Sequence, residues 1–337
     1  MKNQLTLSVA VLLAAIVITG CIENSETVKK PSQDVTPAPA TNTMQKTRNT
    51  SIPPQSEPEQ VKPDLPVWKY GGVGVAGTYA DAEIVDLGNG RYRMYYAVEP
   101  EVPGNKLEVF SAVSGDGMDW KKEDGVRREF SVFPDVVKLP DGRYRMYFQN
   151  QGVIKSAISS DGLSWTEEAG VRIDGTNTAG LKLENVAAPT TMKIGDEYVM
   201  VYRGTVNQKY PAEVPNSNMQ LFLWAISKDG MVFEKKGIAL DSRNSIFQGL
   251  LDGPELVRWD DGSIRLYFWS YRGIFHTVFK NGSFSQETGF DYTTASNLGM
   301  LFPPDPPCDP TLAKIGNKWF LYYGIHTKGI NYATLEG

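Results

Sequence analysis

Three short acidic stretches hold the side chains of this 337-residue chain best suited to chemistry: Asp81-Ala82, Asp252-Gly253-Pro254-Glu255 and Asp309-Pro310. Carboxyl groups brought close together suit general acid and base work, because burial and neighbouring negative charge keep one protonated while another stays ionised. A pair of that kind can cleave glycosidic bonds, with the carboxyls about 6.5–9.5 Å apart for inversion or about 5–5.5 Å apart for retention. On this reading Asp81 is the base and Asp252 or Glu255 the acid, with Asp135 and Asp309 close by as substrate-binding groups. A plainer reading stands beside it. An Asp at the start of a strand can bond backbone amides of a neighbouring unit, and Asp-Pro is ordinary turn chemistry.

The elements that must position these residues come from a repeat. An apolar strand, a tight polar turn and an aromatic-rich strand recur at 83–96 (EIVDLGNGRYRMYY), 135–148 (DVVKLPDGRYRMYF), 190–202 (TTMKIGDEYVMVY), 255–268 (ELVRWDDGSIRLYF) and 311–323 (TLAKIGNKWFLYY). The copies fall about 52 to 65 residues apart, a period that marks a β-propeller. A second motif follows each of the first four copies at constant phase: SGDGMDW at 114–120, SSDGLSW at 159–165, SKDGMVF at 227–233 and the degenerate FKNGSF at 279–284. Together they predict four strands per unit and an all-β fold, a five-bladed β-propeller of four-stranded blades. The fifth unit lacks its last strand, whereas Val67-Trp68-Lys69-Tyr70-Gly71-Gly72-Val73 matches the fourth-strand pattern. That N-terminal strand is therefore expected to pair with the C-terminal blade and close the ring, removing the free sheet edges.

Propeller geometry sorts the loops. The Asp-Gly and Asn-Gly turns fall on one face, where Asp116, Asp161 and Asp229 are explained by turn chemistry. The long connections fall on the other face, together with the starts of the innermost strands. There Asp81, Asp252 and Asp309 are expected to ring a shallow funnel. Arg203, Trp269, Tyr271, Arg272 and His326 lie at or beside second-to-third strand connections on that face, where aromatics can stack on sugar rings and Arg can bond hydroxyls. The aromatics of the repeat itself are expected to be core.

Residues 1–20 read as an export signal: Lys2, an apolar run over 5–18, then Ile18-Thr19-Gly20-Cys21, similar to the lipobox of prokaryotic lipoproteins. The similarity implies lipidation of Cys21 and a chain held at the outer face of the membrane by its lipid anchor; the alternative is an ordinary signal peptide. Residues 21–63, rich in Pro, Thr, Ser, Gln and Glu, read as a flexible tether, leaving 64–337 as the propeller. The net charge of −5 supports no nucleic-acid partner. With Cys308 alone once Cys21 is lipidated, and His276 and His326 the two histidines, no zinc constellation, metal site or cofactor motif is visible. A monomer is expected.

At its acidic stretches the chain resembles the five-bladed glycoside hydrolases of families 43 and 32. Asp81-Ala82 stands where family 43 carries the Asp-Pro of its general base. Asp252-Gly253-Pro254-Glu255-Leu256 looks like the acid segment, Glu-Gly-Pro in family 43 or Glu-Cys-Pro-Asp-Leu in family 32, and the Ser-x-Asp-Gly-x-x-Trp turns recur in both. The resemblance covers the whole propeller in architecture and implies a glycosidase acting on furanosides or other glycans. Two residues depart from it: Asp252 is one methylene shorter than the families' Glu, and Ala188 stands where they place an Asp that tunes the acid. Asp309 sits in a different blade from the families' acids. These departures keep open a glycan-binding propeller without catalysis, and a protein-binding propeller is the third possibility.

Overall fold

The computed structural model describes residues 67–336 except 101, 177–178, 217, 244–245 and 326–327. The export signal, Cys21, the tether over 21–63 and His326 lie outside the described residues.

Five antiparallel blades surround a common centre. Their innermost strands are Tyr79–Gly88, Val132–Lys138, Leu183–Ile194, Asp252–Arg258 and Cys308–Ile315, each paired with the aromatic strand that follows it in the chain. The outer edge is irregular. In blade one Lys121–Lys122 and Arg128–Glu129 both pair with Glu108–Ser114, and in blade four Ser283–Phe284 and Gly289–Tyr292 both pair with Gly273–Lys280. In blade three the strands Leu183–Ile194, Glu197–Lys209 and Asn218–Ser227 run on through much of what the sequence suggests as loop. The ring closes as expected: Lys69–Val75 pairs with Gly329–Glu336, with Lys69 opposite Thr334 and Val75 opposite Ile330.

The aromatic repeat fills the space between blades. Tyr95, Tyr147, Tyr202, Tyr267 and Tyr322 are all fully buried. Three of these tyrosines also dock onto the second motif of the next blade. The Tyr95 hydroxyl donates to Gly162 O (2.8 Å), Tyr147 to Gly230 O (2.8 Å) and Tyr322 to Gly117 O (2.7 Å). Arg93 and Arg145 join them, donating to Asp161 O and Asp229 O at 3.0 Å each. Each guanidinium is also held from behind by a two-pronged ion pair, Arg93 by Glu123 and Arg145 by Glu168. A Cβ on Gly162 would lie 2.5 Å from Arg93 Nη1, and one on Gly230 would lie 2.7 Å from the Tyr147 hydroxyl. The glycine of Ser-x-Asp-Gly is therefore required by the neighbouring blade as well as by its own left-handed backbone. The Asp of each turn accepts from its own backbone, as at Asp161 from Leu163 N and Ser164 N (both 2.8 Å), which agrees with the turn-chemistry reading.

Candidate functional site: a central carboxylate cluster

Every innermost strand carries a β-bulge at the same place. The pairing register slips between Ala80 and Glu83, Val132 and Asp135, Ala187 and Thr190, Asp252 and Glu255, and Cys308 and Thr311. One residue in each bulge is left-handed: Asp81 (φ 54°), Phe133 (52°), Ala188 (44°), Gly253 (54°) and Asp309 (45°). A proline follows in four blades and Ala82 in the first, consistent with a bulge position that owes no hydrogen bond to the ladder. Non-glycine residues in this region carry strain, least for Asp and most for a residue such as Phe133. The bulge turns these five residues toward one another, four with side chains and Gly253 without. They and their successors bound a central cavity of ≈ 30 Å³, room for about two water molecules and far too small for a sugar ring. A ligand larger than water must therefore meet these residues at the mouth of the cavity.

Asp81 and Asp309 occupy equivalent positions in adjacent blades; Asp81 is buried and Asp309 half-buried. Oδ2 of Asp81 accepts the backbone N–H of Phe133 in blade two (3.2 Å), the contact that the plainer reading of an inner-strand Asp anticipates. Oδ1 of Asp309 accepts Nε1–H of Trp269 from blade four (3.0 Å). Burial, then the charges of Asp309 and Glu99, hold Asp81 well above the usual carboxylate range, against the opposing Phe133 N–H. Burial, then Asp252 and Glu99, push Asp309 up to about 7. Glu99 directly follows the second strand of blade one and is 5% exposed. The sequence reading passed over it because nothing local distinguishes it from a loop carboxylate.

Asp252 differs. Gly253 takes the left-handed position, so Asp252 sits one residue earlier, as the alignment of the repeats suggests. Its Oδ2 pairs with Nη1 of Arg203 from blade three, and its Oδ1 accepts the N–H of Gly253 (2.8 Å). The Arg203 guanidinium lies over the Phe133 ring, 5.3 Å from its centroid, so blades two, three and four are linked through Phe133, Arg203 and Asp252. A glycine is needed at 253. A Cβ there would fall 2.6 Å from both Cα and Oδ1 of Asp309.

Two residues further along each inner strand lies a second polar ring: Glu83, Asp135, Thr190, Glu255 and Thr311. Glu255 accepts the hydroxyls of Thr311 (3.0 Å) and Thr190 (3.3 Å), and Thr190 Oγ1 accepts the N–H of Leu256 (2.9 Å). Burial and the charge of Asp135 push Glu255 up to about 8. Burial pushes Asp135 up to about 7, opposed by the nearby polar groups of Thr191, and burial with the charges of Glu255 and Asp135 raises Glu83 well above the ordinary value. Glu83 opens the first copy of the repeat, in phase with Asp135 and Glu255, and that phase was the available signal for it.

The remaining predicted residues separate. Trp269 and Arg203 reach the cluster. Tyr271 is buried, donating its hydroxyl to Asn216 O (2.8 Å) and packing edge-on against Phe302; Arg272 is exposed in the same turn. Among the described residues no three His, Cys, Asp or Glu side chains converge as metal ligands.

No protein-family model and no curated protein matches the chain. Solved structures do. A member of family 130, described as mannoside phosphorylases containing glycoside hydrolases that target β-1,2 mannosidic linkages in Candida mannan, superposes with TM-score 0.59 at 13% identity, covering 81% of this chain and 95% of that one. A thermostable family 43 glycoside hydrolase gives 0.58 at 14%, over 79% and 91% of the two chains. The family 32 β-fructofuranosidase of Bombyx mori gives 0.57 at 12%, over 80% and 62%. The shared property is the fold. It is the five-bladed propeller expected from the repeats, and it resembles the propellers of glycoside hydrolases.

Proposed function

We propose that this protein is a glycoside hydrolase, held at the outer face of the membrane by a lipid on Cys21, with its active site in a funnel above the central carboxylate cluster. The observation that carries this reading is a carboxyl cluster at the centre of the ring whose members have opposite surroundings: Asp81 and Asp309 line the cavity among like charges, and Asp252, beside them, is paired with Arg203. The Arg203 guanidinium favours ionised Asp252, whereas burial among like charges favours protonated Asp81 and Asp309. Glycosidic cleavage needs one of each. Asp252 has the surroundings of a base or nucleophile in place of the acid, and the carboxyls whose surroundings favour the proton are Asp81, Asp309 and Glu255, the last an acid candidate from the sequence as well. The solved neighbours, named for action on glycosidic linkages, support a glycan as partner.

Release of sugar from a panel of aryl glycosides and polysaccharides tests the reading. Hydrolysis by the wild type that falls about 100-fold or more in Asp252→Asn is the expected outcome. No turnover on any member sinks it. Phe133 and Ala188, apolar where blades one and five place Asp, favour one alternative, a propeller that binds glycans without cleaving them; binding on a glycan array without turnover is its signature.

A further inference from the structure

Asp309 is the middle member of the carboxylate cluster. Its blade lies between the blade of Asp252 and the blade of Asp81. Asp252 is the strongest charge acting on it, and it is in turn the strongest charge acting on Asp81. Asp252 by contrast ranks behind both Asp309 and Glu99 among the charges acting on Asp81. The surrounding structure is arranged around its carboxyl. Gly253 clears the space its Cα and Oδ1 occupy, Trp269 Nε1–H fixes Oδ1, and the left-handed backbone at 309 turns the side chain to the cavity. The Trp269 bond fixes the orientation of the carboxyl, and the adjoining Cys308 thiol is its other hydrogen-bonding neighbour.

On the hydrolase reading above, we infer that Asp309, from the fifth blade, is the proton donor to the leaving group. Its carboxyl proton passes to the glycosidic oxygen as the bond from that oxygen to the anomeric carbon breaks. The oxygen of a water molecule bonds to the anomeric carbon, and the proton it sheds is taken by Asp252. Asp309 ends as carboxylate and Asp252 as acid, and return of one proton from Asp252 to Asp309 restores the starting state. Asp81, held by the Phe133 N–H, is a positioning residue whose neutral carboxyl limits the negative charge around Asp309. The groups facing Asp309 are Asp252 from blade four, Asp81 and Glu99 from blade one and the adjoining Cys308, with Arg203 behind Asp252.

A proton donor is recognised by how much its loss depends on the leaving group. A dinitrophenolate departs without protonation, whereas a methoxide or sugar alkoxide does not. With whichever sugar the wild type cleaves, Asp309→Asn should lose about 100-fold or more on the methyl glycoside yet stay within about tenfold on the dinitrophenyl glycoside, and lose the alkaline limb of its pH profile. Asp81→Asn should lose less than about tenfold on both and keep that limb. Equal losses on both substrates in Asp309→Asn, or the leaving-group dependence appearing in Asp81→Asn instead, overturn the inference while leaving the hydrolase reading standing. A wild type inactive on every substrate overturns both.

Discussion

The indole N–H of Trp269 in blade four donates to Oδ1 of Asp309 in blade five at 3.0 Å. This bond opposes the burial and like charge that push Asp309 up to about 7, because it favours the ionised form. Trp269→Phe removes the donor and keeps a ring. A hydrogen bond to a charged group contributes about 1.5 kcal/mol, so the pKa of Asp309 should rise by about one unit. The alkaline limb of the pH–rate profile should move up with it, and an unmoved limb would show that Trp269 packs without tuning.

Arg203 and Asp252 have side chains only 13% and 10% exposed. Removing one partner of such a pair leaves the other charge buried, at a cost of about 3 kcal/mol. Arg203→Met should therefore lower unfolding stability by about that much in denaturant titrations. The double variant Arg203→Met with Asp252→Asn should recover most of it, since no unpaired charge remains. Equal losses in the single and double variants would refute the coupling.

Away from the cluster, Arg145, held by Glu168 of its own blade two, reaches blade three at Asp229 O. Arg145→Ala should cost about 3 kcal/mol of stability while leaving turnover per folded molecule unchanged. Thermal melts and specific activity measured on the same sample separate the two effects.

The second ring shares with Asp81 and Asp309 in making stability depend on pH. Asp135, raised to about 7, and Glu255, raised to about 8, are carboxyls whose folded pKa lies above the unfolded value. Their contribution is fully present below the ordinary carboxylate pKa and is lost as pH rises through about 7 to 8. Each such group tilts stability by up to about 1.4 kcal/mol per pH unit between the ordinary carboxylate pKa and its own raised value, and no further above it. The melting temperature should fall between pH 5 and pH 9, and Glu255→Gln should flatten the fall. A melting temperature that rises over that range would contradict the raised values.

The repeats make the architecture legible in the sequence. The alternation in RYRMYY, the Asp-Gly turns and the aromatic of Trp68 are local signals, and strand identity, blade number and ring closure follow from local signals repeated at constant phase. The same phasing placed Asp81 and Asp309 in equivalent positions and Asp252 one residue off. Charge state was beyond it, since a carboxyl's proton depends on burial and on neighbours from other blades. Glu99 joins Asp309 across more than 200 residues of chain, Arg203 reaches Asp252 from the preceding blade, and Gly253 is small because Asp309 fills the space beside it. The sequence by itself determined the scaffold, whose information lies within each repeat. Which carboxyl keeps its proton was decided by contacts between repeats, and only the closed ring brings those about.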